Sequence, residues 1–256
     1  MFELNGKTAF ITGGASGIGL AVAKAFQKAN ADVVIADVAI DTNTEVSPGI
    51  KAVLCDVSDE SSMQTALDET RQLLGRPIDI VVLNAGVGDV GDTLADSSLE
   101  LINKVTRVNY VGVMLGLKHA QRHMPHSGSI ICTSSMAAHI NLPGSAAYSA
   151  SKRAVTSLIE MAALELGPRK IRVNCICPGY TDTAMGSGAE GKLLSAQFTA
   201  LGRAATVDDL IGSYVFLASD ASRYITGHSL NVDGGWSCGP TSQLLEMVMG
   251  KPTSPC

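Results

Sequence analysis

Residues 7–37 read KTAFITGGASGIGLAVAKAFQKANADVVIAD, and the order of residue types in this stretch decides the fold. A short β-rich run, Lys7–Thr12, leads into glycines, then a helical stretch, Gly17–Ala29, then a second β-rich run, Ala31–Ala36, that ends at Asp37. The turn TGGASGIG, Thr12–Gly19, has glycines at 13, 17 and 19, which permit a tight bend and close backbone approach. The free N–H groups and positive dipole at the following helix start suit a pyrophosphate. The spacing is GxxxGxG rather than GxGxxG, and Leu20 after Gly19 rules out a P-loop. Asp37 stands 18 residues after Gly19. A carboxylate there can accept from adenosine ribose hydroxyls and repels a 2′-phosphate, and neither Ser16 nor Val38 supplies a compensating cation. The plainer alternatives are glycines that ease a helix start and an aspartate that caps a strand.

Outward from this unit the rhythm continues. Lys51–Cys55 reads as a third strand, and Asp59–Leu74 as a helix. Ile78–Leu83 is almost wholly apolar, as a strand buried on both faces must be. Leu99–Arg122 reads as one long helix, Ser129–Thr133 as a strand, Ala147–Leu166 as a helix, and Ile171–Cys177 as a strand stopped by Pro178-Gly179. Thr206–Ser219 is helical with Asp208 and Asp209 in its first turn, and Ser229–Val232 is a last strand. The expectation is an α/β fold: a single doubly wound Rossmann-type domain spanning 1–256, with a mostly parallel sheet of about seven strands and helices on both faces. Two segments depart from the rhythm. Residues 182–201 are rich in Gly, Ser and Ala and read as a flap over a substrate pocket; residues 236–256 form a tail with an apolar LLEMVM core.

Composition narrows the function classes. The chain has 256 residues, 46% of them apolar, with 19 basic and 24 acidic residues and a formal charge of −5. No basic stripe exists for nucleic acid, and no apolar run approaches the ~20 residues that cross a membrane. Glu3 and Lys7 interrupt the N-terminus before a signal-peptide core can form. Cys55, Cys132, Cys175, Cys177, Cys238 and Cys256 lack metal-finger spacing and read as core thiols in a reducing cytoplasm, with no metal site expected. His119 and His123, four apart, read as surface helix positions without a partner carboxylate, and His228 as structural.

A second constellation lies in the later half. Tyr148 and Lys152, in YSASK, are four apart on one helix face. A free phenol has a pKa of about 10, and a neighbouring ammonium favours its phenolate, so the pair suits proton transfer. Ser135 lies 13 residues earlier, just past a strand, where its hydroxyl can hold a substrate oxygen; Ser134 is the alternative. Asn109 can order a water near Lys152 or bond within its helix. Asp56, after the third strand, can reach an adenine amino group or form a local Asx-turn. Asn84-Ala85-Gly86 can wall the adenine side or simply turn the chain.

Together these elements resemble the classical short-chain dehydrogenase/reductase family over roughly Leu4–Gly235. TGGASGIG resembles its cofactor loop, Asn84-Ala85-Gly86 its NAG element, and ICPGYTDTAM, Ile176–Met185, its PG segment. The resemblance implies a catalytic tetrad of Asn109, Ser135, Tyr148 and Lys152. It implies NAD as cofactor, held by Gly13, Ser16, Gly17, Ile18, Gly19, Asp37, Asp56, Val57, Asn84, Ala85 and Gly86 at one end. At the other end it implies Tyr148, Lys152, Pro178, Gly179, Thr181 and Thr183. It implies hydride transfer between a secondary alcohol or ketone and NAD(H), with Tyr148 as acid/base, Ser135 on the substrate oxygen, Lys152 on the nicotinamide ribose, and Asn109 supporting a relay water. Met136, His139, Leu142, Tyr180, Met185, Leu194 and Phe198 are the substrate-pocket candidates, with Ala137, Pro143 and Gly144 beside them. Most are apolar, which suits a cyclic or otherwise apolar substrate. The family further implies a homotetramer or dimer that pairs long helices. Two other readings compete: an NADP-dependent carbonyl reductase, which lacks a basic residue near Asp37, and a non-catalytic dinucleotide sensor or scaffold, which has no need of the tetrad.

Overall fold

The computed structural model describes residues 2–40, 46–88, 93–186 and 188–250. Seven strands form one sheet: β1 (Thr8–Thr12), β2 (Asp32–Asp37), β3 (Lys51–Leu54), β4 (Ile80–Leu83), β5 (Gly128–Thr133), β6 (Ile171–Pro178) and β7 (Ser229–Val232). Their order is β3-β2-β1-β4-β5-β6-β7, and every neighbouring pair is parallel. Order therefore reverses between β1 and β4, and a crevice opens there beyond the carboxyl ends of the strands.

The helices are α1 (Gly17–Lys28), α2 (Glu60–Leu74), α3 (Leu99–Thr106), α4 (Gly112–Ala120), α5 (Ala146–Leu166), α6 (Ala189–Phe198), α7 (Val207–Ala218) and α8 (Ser242–Met249). They cover both faces because alternate strand residues face opposite ways. Phe10, Val34, Val81 and Ile130 pack into one core with Met63, Leu67, Val155 and Ile159 from α2 and α5. Ile11, Ile35, Val82 and Ile131 pack into the other with Val22, Phe26, Leu210 and Tyr214 from α1 and α7. Local signals set the helix ends. Asp59 accepts from the Ser62 N–H at the start of α2, and Thr206 and Asp209 close a reciprocal capping box at the start of α7.

The long helix expected over Leu99–Arg122 is interrupted and ends at Ala120. Between α3 and α4, Arg107–Val111 forms a wider π-turn that carries Asn109. The wider turn lets two constraints hold at once. Gly112 and Gly116 lie where any Cβ would come within 3.0 Å of Val57 and 2.4 Å of Leu83, while the Asn109 amide turns inward to bond the backbone of Val87.

Within the 182–201 segment, Ala189–Phe198 forms α6. The described part of the tail turns through Trp236–Cys238 and forms α8, whose N-cap Thr241 accepts from the Leu244 N–H. Residues 251–256, including Cys256, lie outside the described residues. Among the described residues, no helix is long and apolar enough to cross a membrane.

Candidate active site

A cavity of about 500 Å³ runs along the carboxyl edge of the sheet from Asp37 to Met185. Its first end is shaped by the turn between β1 and α1. Gly13 has a left-handed φ of +65°, and a Cβ on Gly19 would stand 2.1 Å from the Gly13 carbonyl oxygen. The turn is thus packed too closely for side chains at Gly13 and Gly19, and it brings main-chain N–H groups at the start of α1 to the cavity, where an anion such as a pyrophosphate could sit. Gly19 itself lies under the turn and does not line the cavity, whereas Gly13, Ser16, Gly17 and Ile18 do.

Asp37 closes this end. Its carboxylate accepts from the Ala15 N–H at 3.1 Å and from the Ala39 N–H at 3.0 Å, so it caps the strand and braces the glycine turn while still facing the cavity. Asp56 accepts from the Ser58 N–H at 2.9 Å and the Ser58 hydroxyl at 2.7 Å, which forms the Asx-turn, and it too lines the cavity beside Val57. Asn84 cross-braces three strands. Its Nδ2 donates to the carbonyls of Thr12 (3.2 Å) and Gly13 (3.3 Å), and its Oδ1 accepts from the Thr133 hydroxyl (3.1 Å). With Ala85 and Gly86 it forms both the turn and part of the wall.

The second end gathers Ser135, Tyr148, Lys152, Pro178, Gly179, Thr181 and Thr183 around the same space. Lys152 is buried, and its Nζ lies 5.6 Å from the centre of the Tyr148 ring, as one-turn spacing on α5 requires. Its ammonium donates to the Thr133 carbonyl at 2.9 Å, and burial pushes its pKa down to about 8. Cys132, beneath it, is pushed up to about 12 by burial; Cys177 is raised by its contact with Cys175 and by burial, so both thiols stay neutral. Ser134 donates to the Lys152 carbonyl at 2.9 Å and is committed to the backbone. Ser135 accepts from the Ala137 N–H at 3.1 Å, which leaves its O–H as a donor on the cavity side.

Asn109 is wholly buried behind Gly86 and does not line the cavity. Its amide neither bonds within its helix nor faces the open space. Oδ1 accepts from the Val87 N–H at 2.8 Å, and Nδ2 donates to the Val87 carbonyl at 2.9 Å and to Ser151 Oγ at 3.2 Å. A Cβ on Gly86 would meet Lys152 Nζ at 3.3 Å and Asn109 Oδ1 at 3.4 Å, so both groups border the same glycine.

Of the pocket candidates, Met136, Leu142, Tyr180 and Met185 line the cavity, as does Ala137; His139, Leu194 and Phe198 do not. His139 follows the short turn after Ser135 and is exposed, and its side chain hydrogen-bonds the buried Cys177 rather than lining the cavity. Phe198 stacks on Trp236 at 5.3 Å, and Trp236 packs against Tyr180 at 5.6 Å. Thus α6 meets the tail with the face that carries Phe198, and the stack ends on the cavity wall. Thr133, Val87, Val108, Ser145 and Ala184 also line the cavity and were not singled out in the sequence. Val87 follows directly on Asn84-Ala85-Gly86, and Thr133 ends its strand, so position alone could have found those two. Val108 had no such signal.

The reading of His119 is corrected by the structure. It is 2% exposed, with Nε2 2.8 Å from Glu60 Oε1 and Nδ1 3.3 Å from Gln64 Nε2. His123 lies 3.8 Å from Asp68. The partner carboxylates come from α2, across the helix layer, where sequence proximity could not reveal them. Cys55, Cys132, Cys175 and Cys177 are buried and unpaired, as core thiols should be; Cys238 is exposed.

A family model described as enoyl-(acyl carrier protein) reductase matches residues 13–237. A crystal structure of a short-chain type dehydrogenase/reductase from Mycobacterium marinum superposes with a TM-score of 0.85 at 36% identity, covering 93% of this chain and 98% of that one. The chain belongs to the short-chain dehydrogenase/reductase family. It is an enzyme, a nicotinamide-dinucleotide-linked oxidoreductase. It is also similar to the mitochondrial borneol dehydrogenase of Lavandula x intermedia, at 39% identity over 92% of each chain. The NADPH-dependent 3-quinuclidinone reductase of Rhodotorula rubra superposes with a TM-score of 0.86 at 34% identity, covering 93% of this chain and 94% of that one.

Proposed function

We propose that this enzyme is an NAD-linked dehydrogenase or ketone reductase for an apolar, cyclic secondary alcohol, with Tyr148 as its acid/base. The observation that carries the reading is the placement of Tyr148, the buried Lys152 ammonium and the Ser135 hydroxyl on one cavity whose far end is closed by Asp37. The bound nicotinamide supplies a two-electron hydride acceptor or donor. Gly13, Ser16, Gly17, Ile18, Val57 and Ala85 would hold the dinucleotide, and Pro178, Gly179, Thr181 and Thr183 would receive its nicotinamide.

In oxidation, Ser135 donates to the substrate oxygen and orients it beside Tyr148, which takes the hydroxyl proton as phenolate. The positive charge of Lys152 favours that phenolate, and little competing charge weakens it, because the surrounding thiols are neutral. Asn109 holds Gly86 and Val87 against Lys152 and supports the proton relay from that side. In reduction Tyr148 gives the proton back.

NAD is favoured over NADP because the Asp37 carboxylate accepts from the Ala15 N–H of the glycine turn, and Lys152, at the opposite end, is the only cation among the described lining residues. The similarity to an NADPH-dependent reductase keeps the NADP-linked alternative as the second reading. An apolar substrate is supported by Met136, Ala137, Leu142, Tyr180 and Met185, and by the absence of any arginine among the described lining residues. The similarity to a borneol dehydrogenase agrees with this reading. Exposed Leu99, Ile102, Met114, Met161 and Leu164 on α3, α4 and α5 support a homo-oligomer that pairs these helices, and the unpaired core thiols support a reducing, cytoplasmic setting.

Tyr148→Phe tests the assignment. We expect turnover to fall by about a thousandfold, within the range of a lost general acid/base, while NADH binding stays within threefold of the unaltered enzyme. Near-normal turnover in this variant would remove Tyr148 from the chemistry.

A further inference from the structure

A line of hydrogen-bonded polar groups runs from the core behind the cavity to its wall. Tyr214, on α7, is wholly buried and lies outside the cavity lining, yet its Oη stands 2.7 Å from Thr133 Oγ1. Thr133 donates to Asn84 Oδ1 at 3.1 Å, and Asn84 Nδ2 donates to the carbonyls of Thr12 and Gly13. An amide oxygen can only accept, so the Thr133 hydrogen is committed to Asn84 and Tyr214 must be the donor at the other end. The line therefore has a direction, from Tyr214 through Thr133 and Asn84 to the glycine turn. The main-chain carbonyl of the same Thr133 accepts from Lys152 Nζ at 2.9 Å. One residue is thus bonded through its side chain to the group that holds the cofactor turn, and through its backbone to the buried ammonium.

Packing alone does not account for these residue types. A phenylalanine would fill the Tyr214 site, and a valine the Thr133 site, without the cost of burying two hydroxyls in an apolar layer. The hydroxyls are kept in place by each other and by Asn84. Without the Thr133 donor, Asn84 Oδ1 would lose that bond, and the amide would be held only by its two donations to the Thr12 and Gly13 carbonyls.

We propose that Thr133 is a positioning residue that ties the glycine turn to Lys152, and that Tyr214 fixes its hydroxyl from the opposite face of the sheet. The inference rests on the reading of the cavity as a nicotinamide-dinucleotide site. It concerns how the two ends of that site are kept in register, which neither the tetrad nor the glycine turn provides by itself.

The test is a fluorescence titration with whichever of NADH and NADPH the unaltered enzyme binds more tightly, on Thr133→Val, Thr133→Ser, Tyr214→Phe and the Thr133→Val/Tyr214→Phe double variant. Each is also measured for its thermal midpoint and for the pH dependence of binding. Thr133→Val should raise Kd about tenfold, the equivalent of about 1.4 kcal/mol and of one buried hydrogen bond. It should also shift the alkaline limb along which binding falls as Lys152 loses its proton. Tyr214→Phe should raise Kd about threefold, and Thr133→Ser should restore it to within about twofold of the unaltered enzyme. The double variant should bind no more weakly than Thr133→Val, because Tyr214 acts through Thr133. Lowered thermal midpoints with Kd and pH limb unmoved would reduce the network to packing and overturn the proposal, as would fully additive losses in the double variant. If the unaltered enzyme bound neither dinucleotide, the cofactor reading would fail and this proposal with it; binding that ignores the variants overturns the proposal alone.

Discussion

At the dinucleotide end of the cavity, the shape is set by main chain and by what glycine leaves out: the Gly13–Gly19 turn, the end of β2 at Asp37, and the Asn84-Ala85-Gly86 turn. At the substrate end it is set by side chains from four separate segments. These are the Val87–Gly88 and Val108 wall, the turn after β5, the start of α5, and the loop after β6, whose Tyr180 is backed by Trp236 and, through it, by Phe198 of α6. A backbone cradle at the start of a helix depends on a few adjacent residues. A pocket wall assembled from distant side chains depends on how each segment packs. The first end is thus local and steric, and the second collective and adjustable.

The contrast can be broken most directly in the glycine turn. Gly19→Ala would force a Cβ to within 2.1 Å of the Gly13 carbonyl oxygen and 2.7 Å of the Asn84 amide nitrogen that donates to it. Neither neighbour can yield without moving the turn. We expect dinucleotide affinity to fall at least a hundredfold while the folded chain survives at a lower thermal midpoint. Titration and calorimetry on the same sample separate the two effects. Retained affinity would show that the turn is more pliable than its packing indicates.

The substrate end predicts a smaller and differently distributed loss. Trp236→Ala removes the ring that joins Phe198 of α6 to Tyr180 on the cavity wall. KM for the alcohol should rise about fivefold to tenfold, with kcat and dinucleotide affinity within about twofold, because the lost contact shapes binding rather than chemistry. A fall in kcat with KM unchanged would place the Trp236 stack in the chemical step and blur the contrast between the two ends.

The same contrast governs what the sequence made legible. The parallel sheet followed from β-rich runs spaced by helical patterns, and the cavity's first end from glycines, Asp37 and Asn84 at strand ends. Tyr148 and Lys152 were readable because four-residue spacing on a helix puts side chains on one face. What stayed hidden depended on packing across elements. His119 has its carboxylate partner on α2, 59 residues away in sequence. Phe198 and Leu194 belong to a helix whose facing could not be known until Trp236 was placed. His139 was read as a pocket residue by its nearness to Ser135 in sequence, but its side chain is engaged by Cys177 of β6 and does not line the cavity. The π-turn at Asn109 had no local signal, because its cause lies in contacts with Val57, Leu83 and Val87. Thr133 was readable as the end of a strand, but its place between Asn84, Tyr214 and Lys152 appears only in three dimensions.

The account rests most heavily on one cavity that joins an NAD-selective end to a Tyr148-centred chemical end. The direct measurement is the initial rate of absorbance change at 340 nm with NAD and with NADP, over a panel of cyclic and aliphatic secondary alcohols. A rise with NAD at least tenfold faster than with NADP is expected, largest for the cyclic, apolar alcohols. An equal or faster rate with NADP would contradict the role given to Asp37 and reverse the cofactor assignment.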